Sequence, residues 1–458
     1  QSSKWGGAKK SKIVLIKEAK KDSVRAFAHV GSPSKAWEFF ERIGGKFAPR
    51  MLEMLANLYY DQGKFLDSVL VFRKMISLEP KSSKLCSWEY SVVKGILSGK
   101  DKKAQLVEAK RMAAIYHAIK GRTDIRKTQL VECKDNATGV LRELATTWHS
   151  EAQKTQNMET YDLAQHLYKA YLDNFPKEKD AYTMTYYYAE LLYKLERWEP
   201  AATIYTDVVK MSPKGKYLKD AAYAAVISWK NALNVQEETK DVSKKQRAAT
   251  KKKGRKRRGK PEPEVEEAVV KKPIPEKQLK MISAFDTYIT YVPNAPELVP
   301  IIYRKARIYY NYNHYDEAVK VFALIINKHS DHELATFAAN LLLDSLNITK
   351  QFDELNRWVD RMLANKDLAK DDMLTQLRKL KRGSERKAAE QLQKQGYYKE
   401  CGERYAAIAN KYPEDKRWAE VLYNAALCFE AAKLIGLAIS IRNTLIKVKP
   451  DHPLSQKA

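Results

Sequence analysis

A chain of 458 residues exceeds a single compact core, which stops growing at about 250 to 300 residues, so it needs several domains or an architecture that extends by addition. Its 44% apolar residues and 27 tyrosines exclude a wholly disordered chain. Four cysteines exclude a disulfide-built scaffold, and no run reaches the roughly 18 uninterrupted apolar residues of a membrane helix. The net charge of +27 makes the placement of lysine and arginine the first question.

Residues 1–21 mix Gly, Ser and Lys and read as a flexible lead-in. Gln1 in place of methionine reads as a cleaved signal or a fragment. Residues 22–234 read as stacked helix pairs, beginning with a pair over 22–42. Pro49 to Pro80 then shows a pattern: Phe65, Ser68, Phe72 and Pro80 space an aromatic, a small residue, an aromatic and a helix-ending proline. Leu85 to Gly121 holds two amphipathic helices without that spacing. A further pair is expected from about Asp135, with a stretched turn over 156–160, and its second helix resumes the pattern as Ala164, Tyr168, Pro176. Trp198, Ala201, Tyr205 and Pro213 repeat it. Residues 235–275 read as a disordered insertion inside one repeat. It holds Lys251, Lys252, Lys253, Arg255, Lys256, Arg257, Arg258 and Lys260, then alternating Pro and Glu, and carries a large share of the net charge. Residues 276–458 return to the pattern at Met281, Phe285, Pro293; at Tyr315, Ala318, Phe322, with Ser330 for proline; and at Tyr398, Cys401, Tyr405, Pro413. Pro450 closes one more second helix, and 451–458 read as the approach to another.

Each second helix has a first-helix partner with a small residue twelve positions earlier: Ala56, Ala189, Ala306, Ala389, and Ala426 paired with Ala438. Small residues at crossing points let antiparallel helices approach closely, and the aromatics fill the space between neighbours. Each pair leaves an apolar face that only the next pair covers. The spacing resembles the tetratricopeptide repeat, which implies an all-α, right-handed superhelical solenoid. In that family the groove-facing residues lie three before and one, four and five after the first-helix small residue. The resemblance therefore points to Glu53, Asn57, Tyr60 and Asp61; to Tyr186, Glu190, Tyr193 and Lys194; to Tyr303, Arg307, Tyr310 and Asn311; and to Tyr423. Aromatics beside amides and charges suit a peptide, extended or helical.

The other residues add little chemistry. Residues 6–11 (GGAKKS) lack the glycine spacing of a phosphate loop, and His329 and His332 read as turn residues without a third metal ligand. No enzyme activity, cofactor, metal or small-molecule substrate is expected. An antiparallel hairpin around Pro413 brings Cys401 near Cys428; small buried packing residues are preferred there, with a bridge left open, and Cys86 and Cys133 either pair or stay free. The basic run fits phosphates, an anionic membrane or polymer, or a nuclear import signal. Nucleic acid is the weaker reading, because the run lacks aromatics on which bases stack.

The stretches 36–45 (AWEFFERIGG), 51–63 (MLEMLANLYYDQG) and 142–156 (RELATTWHSEAQKTQ) are similar to large envelope repeat proteins of myxobacteria and other deltaproteobacteria, gliding-motility components among them. That resemblance implies a periplasmic scaffold binding other proteins of an envelope complex, with the basic run near envelope polymer or lipid. The alternative is an intracellular adaptor whose basic run contacts nucleic acid.

Overall fold

The computed structural model describes residues 3–234 and 270–457, and among these every regular element is helical. They fall into two units, Gln1–Ala232 and Leu233–Ala458. The first holds α1 (Ser3–Val30), α2 (Ala36–Gly44), α3 (Ala48–Asp61), α4 (Phe65–Leu78), α5 (Leu85–Leu97), α6 (Lys102–Ile119), α7 (Lys127–Thr155), α8 (Met158–Asn174), α9 (Ala181–Lys194), α10 (Trp198–Met211) and α11 (Leu218–Ala232). The second holds α12 (Glu276–Tyr291), α13 (Leu298–Asn311), α14 (Tyr315–Lys328), α15 (Ala335–Ile348), α16 (Phe352–Ala364), α17 (Asp371–Lys394), α18 (Tyr398–Lys411), α19 (Trp418–Ala431) and α20 (Ile435–Val448). Within each unit, helices adjacent in sequence pack on one another, so the fold grows by addition as a solenoid does.

The aromatic that opens the sequence pattern is the first residue of α4, α10, α14 and α18. The small residues Ala56, Ser68, Ala189, Ala201, Ala306, Ala318 and Cys401 are fully buried at the helix crossings, and Phe72, Tyr168, Tyr205, Phe285 and Phe322 are buried between them. One turn recurs between first and second helices. Gly63, Glu196, Asn313, Lys350, Gly396 and Lys433 each take positive φ two residues before a second helix. The next residue's N–H reaches back to the sixth carbonyl, as Lys64 does to Tyr59 at 2.8 Å and His314 to Tyr309 at 2.9 Å. This closes the orphan carbonyls of the first helix. Second helices stop two residues before Pro80, Pro176, Pro213, Pro293 and Pro413, and α14 stops equally before Ser330, so the turn does not require the ring.

The structure corrects four expectations. The lead-in 1–21 is helical from Ser3, since no proline interrupts Ala- and Lys-rich sequence, although residues 15–19 are exposed and packing begins only at Val24. The stretched turn over 156–160 is instead tight: Gln156 is left-handed at φ 55, and the Asn157 side chain accepts from the Thr160 N–H at 2.9 Å, starting α8 at Met158. The insertion over 235–275 does not stay irregular to its end. Lys272 donates its N–H to Tyr312 O at 2.9 Å, Asn313 Nδ2 donates to Val270 O at 2.9 Å, and His314 Nε2 lies 2.9 Å from Lys272 O. Lys271 adds an ion pair with Glu317 at 3.0 Å, so 270–275 forms a strap across the α13–α14 turn. Finally, the cysteines are not merely packing residues: Cys86 is bonded to Cys133 and Cys401 to Cys428, each pair with Cα atoms 5.8 Å apart. The first bond ties α5 to α7 past α6, and the second ties α18 to α19.

Candidate functional site

In the first unit, the expected groove residues meet the next first helix. Glu53 on α3 accepts from Lys84 Nζ at 2.7 Å and from Trp88 Nε1 at 3.1 Å. Tyr60 meets Phe65 edge-on at 5.2 Å and has Lys94 Nζ 5.1 Å from its ring centre, while Asn57 and Asp61 are exposed. The contact is stronger on α9. Tyr186 stacks on Tyr217 with centroids 3.9 Å apart and planes 3° from parallel. Glu190 accepts from the Tyr205 hydroxyl, Tyr193 stands edge-on to Trp198 at 4.9 Å, and Lys194 is exposed. Burial, followed by the charge of Glu190, raises the pKa of Tyr186. Tyr217 is the exception. Burial opposes its ionisation, but Lys216 and the Tyr187 hydroxyl outweigh that and hold it below its ordinary value. Sequence spacing did not single out Tyr217 because it precedes α11, in a turn. Gly215 lets that turn close, since a Cβ there would lie 2.2 Å from the Tyr182 hydroxyl.

In the second unit, Tyr303 packs against Phe322 at 5.8 Å and Tyr310 against Tyr315 at 5.4 Å. The Tyr310 hydroxyl donates to Asp344 of α15, repeating the step between neighbouring first helices seen at Tyr186. Burial, and then Asp344, raises the Tyr310 pKa. Tyr423 on α19 is half-buried against its core. Arg307 and Asn311 line a cavity of about 410 Å³ with Lys272, Gln278, Arg304 and Tyr312, floored by Met281 and Ile308. The groove offsets found Arg307 and Asn311 but missed Arg304, which lies two before Ala306, and Lys272, which only the strap brings there. The basic residues Lys251, Lys252, Lys253, Arg255, Lys256, Arg257, Arg258 and Lys260 lie outside the described residues. His332 caps the helix that follows it: its Nδ1 accepts from the Leu334 N–H at 3.0 Å.

Residues 156–216, covering α8 to α10, match the family model of the tetratricopeptide repeat. The chain carries tetratricopeptide repeats. Outside this match the same turn, buried small residues and aromatics recur at α3–α4, α13–α14 and α17–α18, which extends the repeat geometry into both units. No curated protein sequence matches significantly. Among solved structures, one titled "Structure of Naa15/Naa10 bound to HypK-THB" is 12% identical over 88% of this chain, with a TM-score of 0.20. The match spans 58% of the length of that structure's chain. At that score the likeness carries no functional argument.

Proposed function

We propose that this tetratricopeptide-repeat chain is a non-enzymatic scaffold that holds partner proteins along the first-helix face of each unit, within a cell-envelope complex. The observation that carries the reading is the side-by-side placement of groove residues on successive first helices, Glu53 against Trp88, Tyr186 against Tyr217 and Tyr310 against Asp344. Such contacts make a continuous face of aromatic rings edged by the exposed Asn57, Asp61, Lys194 and Asn311, suited to a peptide or a helix. Two disulfides, with no free cysteine among the described residues, support an oxidising compartment such as the periplasm. The resemblance to myxobacterial motility components extends the proposal to gliding machinery, with the basic run as a salt-sensitive contact to anionic envelope polymer or lipid.

The test is site-specific photo-crosslinking in the source cell. Probes at Asn57, Lys194 and Asn311 should trap discrete proteins, whereas probes at the exposed second-helix positions Lys74 and Lys320 should not. Equal crosslinking from both sets of positions would refute a first-helix binding face.

A further inference from the structure

The cavity beside α13 is chemically one-sided. Arg304 and Arg307 are three residues apart, so their guanidinium groups leave the same side of the helix. Lys272 faces them from the strap, held by hydrogen bonds of its own backbone to Tyr312 and His314. The lining therefore carries three cations and no carboxylate. The acids nearby are engaged by other lysines: Asp286 with Lys305, Glu276 with Lys280 at 2.8 Å, and Glu317 with Lys271 at 3.0 Å. Two planar guanidinium forks match the geometry of an oxyanion and can grip it bidentately. At about 410 Å³ the space is larger than a bare inorganic anion needs and falls within the range of ligand pockets. Met281 and Ile308 give it an apolar floor, and the Gln278 and Asn311 amides suit a peptide backbone.

We propose that this cavity is a receptor for an acidic segment of a partner protein, with a carboxylate side chain on Arg304, Arg307 and Lys272 and a neighbouring apolar side chain on Met281 and Ile308. This rests on the scaffold reading and adds the chemistry of one partner segment. It also gives the strap a role: 270–275 supplies the third cation, so the site is complete only when the strap is docked.

The experiment measures fluorescence anisotropy of a labelled peptide of alternating Glu and Leu on the full chain. The controls are the Gln and Leu counterpart, inorganic phosphate as competitor, and a chain whose basic residues over 251–260 are changed to Gln. Binding should persist in that neutralised chain, be absent for the Gln peptide, weaken about tenfold or more in the Arg304→Gln, Arg307→Gln double variant, and weaken about threefold in Lys272→Gln. Loss of binding in the neutralised chain would assign it to the basic run and overturn the proposal. So would an undiminished affinity in the double variant, or displacement by phosphate at concentrations equal to the peptide. Lys272 is exposed, so Lys272→Gln decides the matter should the double variant fail to fold. Crosslinks from Asn57 and Lys194, which lie in the other unit, stand or fall independently, so failure here and failure of the scaffold reading are distinguishable.

Discussion

Two buried groups of the first unit should titrate in opposite senses and hide each other. Glu89 on α5 is fully buried, and its carboxyl is pushed from 4.5 up to about 7, first by burial and then by its hydrogen bond to Glu108. Arg111 at 3.4 Å from Glu89, and Arg73 paired to Glu108, pull the other way. His149 on α7 is buried 3.2 Å from the Tyr168 hydroxyl, and burial lowers it from 6.5 to about 4. Between pH 4.5 and 7 the folded chain holds the Glu89 proton that the unfolded chain has lost, so stability falls as pH rises. Between pH 4 and 6.5 the unfolded chain holds the His149 proton that the folded chain refuses, so stability rises with pH. Each window spans roughly 2.5 pH units at about 1.36 kcal/mol each, or about 3 kcal/mol in total. Residues of α5 and α7 share one core, so the two slopes act on the same packing and cancel over most of their range. Glu89→Gln should expose the histidine slope, gaining about 3 kcal/mol between pH 4 and 6.5 relative to wild type, and His149→Gln should expose the opposite one. Hydrogen exchange of α5 and α7 amides, corrected for intrinsic rates, reads this locally; a global unfolding curve of a solenoid need not be two-state. A Glu89→Gln profile parallel to the wild-type profile would refute the reasoning.

Reduction should matter in proportion to the loops closed. In the chain-entropy account, loss of Cys86–Cys133, separated by 47 residues, costs about 4 kcal/mol, and loss of Cys401–Cys428, separated by 27, slightly less. Thermal melts of the Cys→Ser pairs check this, and four free thiols in protein from its native compartment would contradict both bonds. Gly402→Ala should cost about 1–3 kcal/mol, because its Cβ would sit 2.7 Å from the Phe429 ring. Gly436→Ala, with open space around it, should be neutral or gain up to about 1 kcal/mol. Replacing Asn313 by Gly and His314 by Ala removes two side-chain contacts of the strap while keeping the left-handed turn. Trypsin should then cut between Lys271 and Lys272 several-fold faster with the helical melt unchanged; an unaltered rate would show that these contacts do not hold the strap.

The parts of this fold legible in sequence are those written at short range. Phe65, Trp198, Tyr315 and Tyr398 begin their helices where the spacing places them, because the aromatic, the small residue and the terminator act within one helix and its neighbour. The length of α7 was harder to see: an early start at Lys127 is set by its packing on α6 and α8, not by a local signal. The Cys86–Cys133 bond depends on how α5 to α7 stack, which no spacing encodes. The candidate site divides the same way. Arg307 follows from the helical offset, whereas Lys272 reaches the cavity only because the Tyr312–His314 turn offers a carbonyl, a histidine and an amide side chain to a passing extended segment.

The disulfide between α5 and α7 also bears on what happens when the chain is pulled. A stack of helix pairs yields under tension by peeling, each released residue adding about 3.3–3.6 Å of contour. With Cys86 joined to Cys133, the 47-residue stretch between them is out of the load path, withholding roughly 160 Å of extension however many of its helices melt. Force bypasses α6 and passes from α5 directly into α7, so this part of the first unit behaves as a short inextensible link, its give returning only when the bond is reduced.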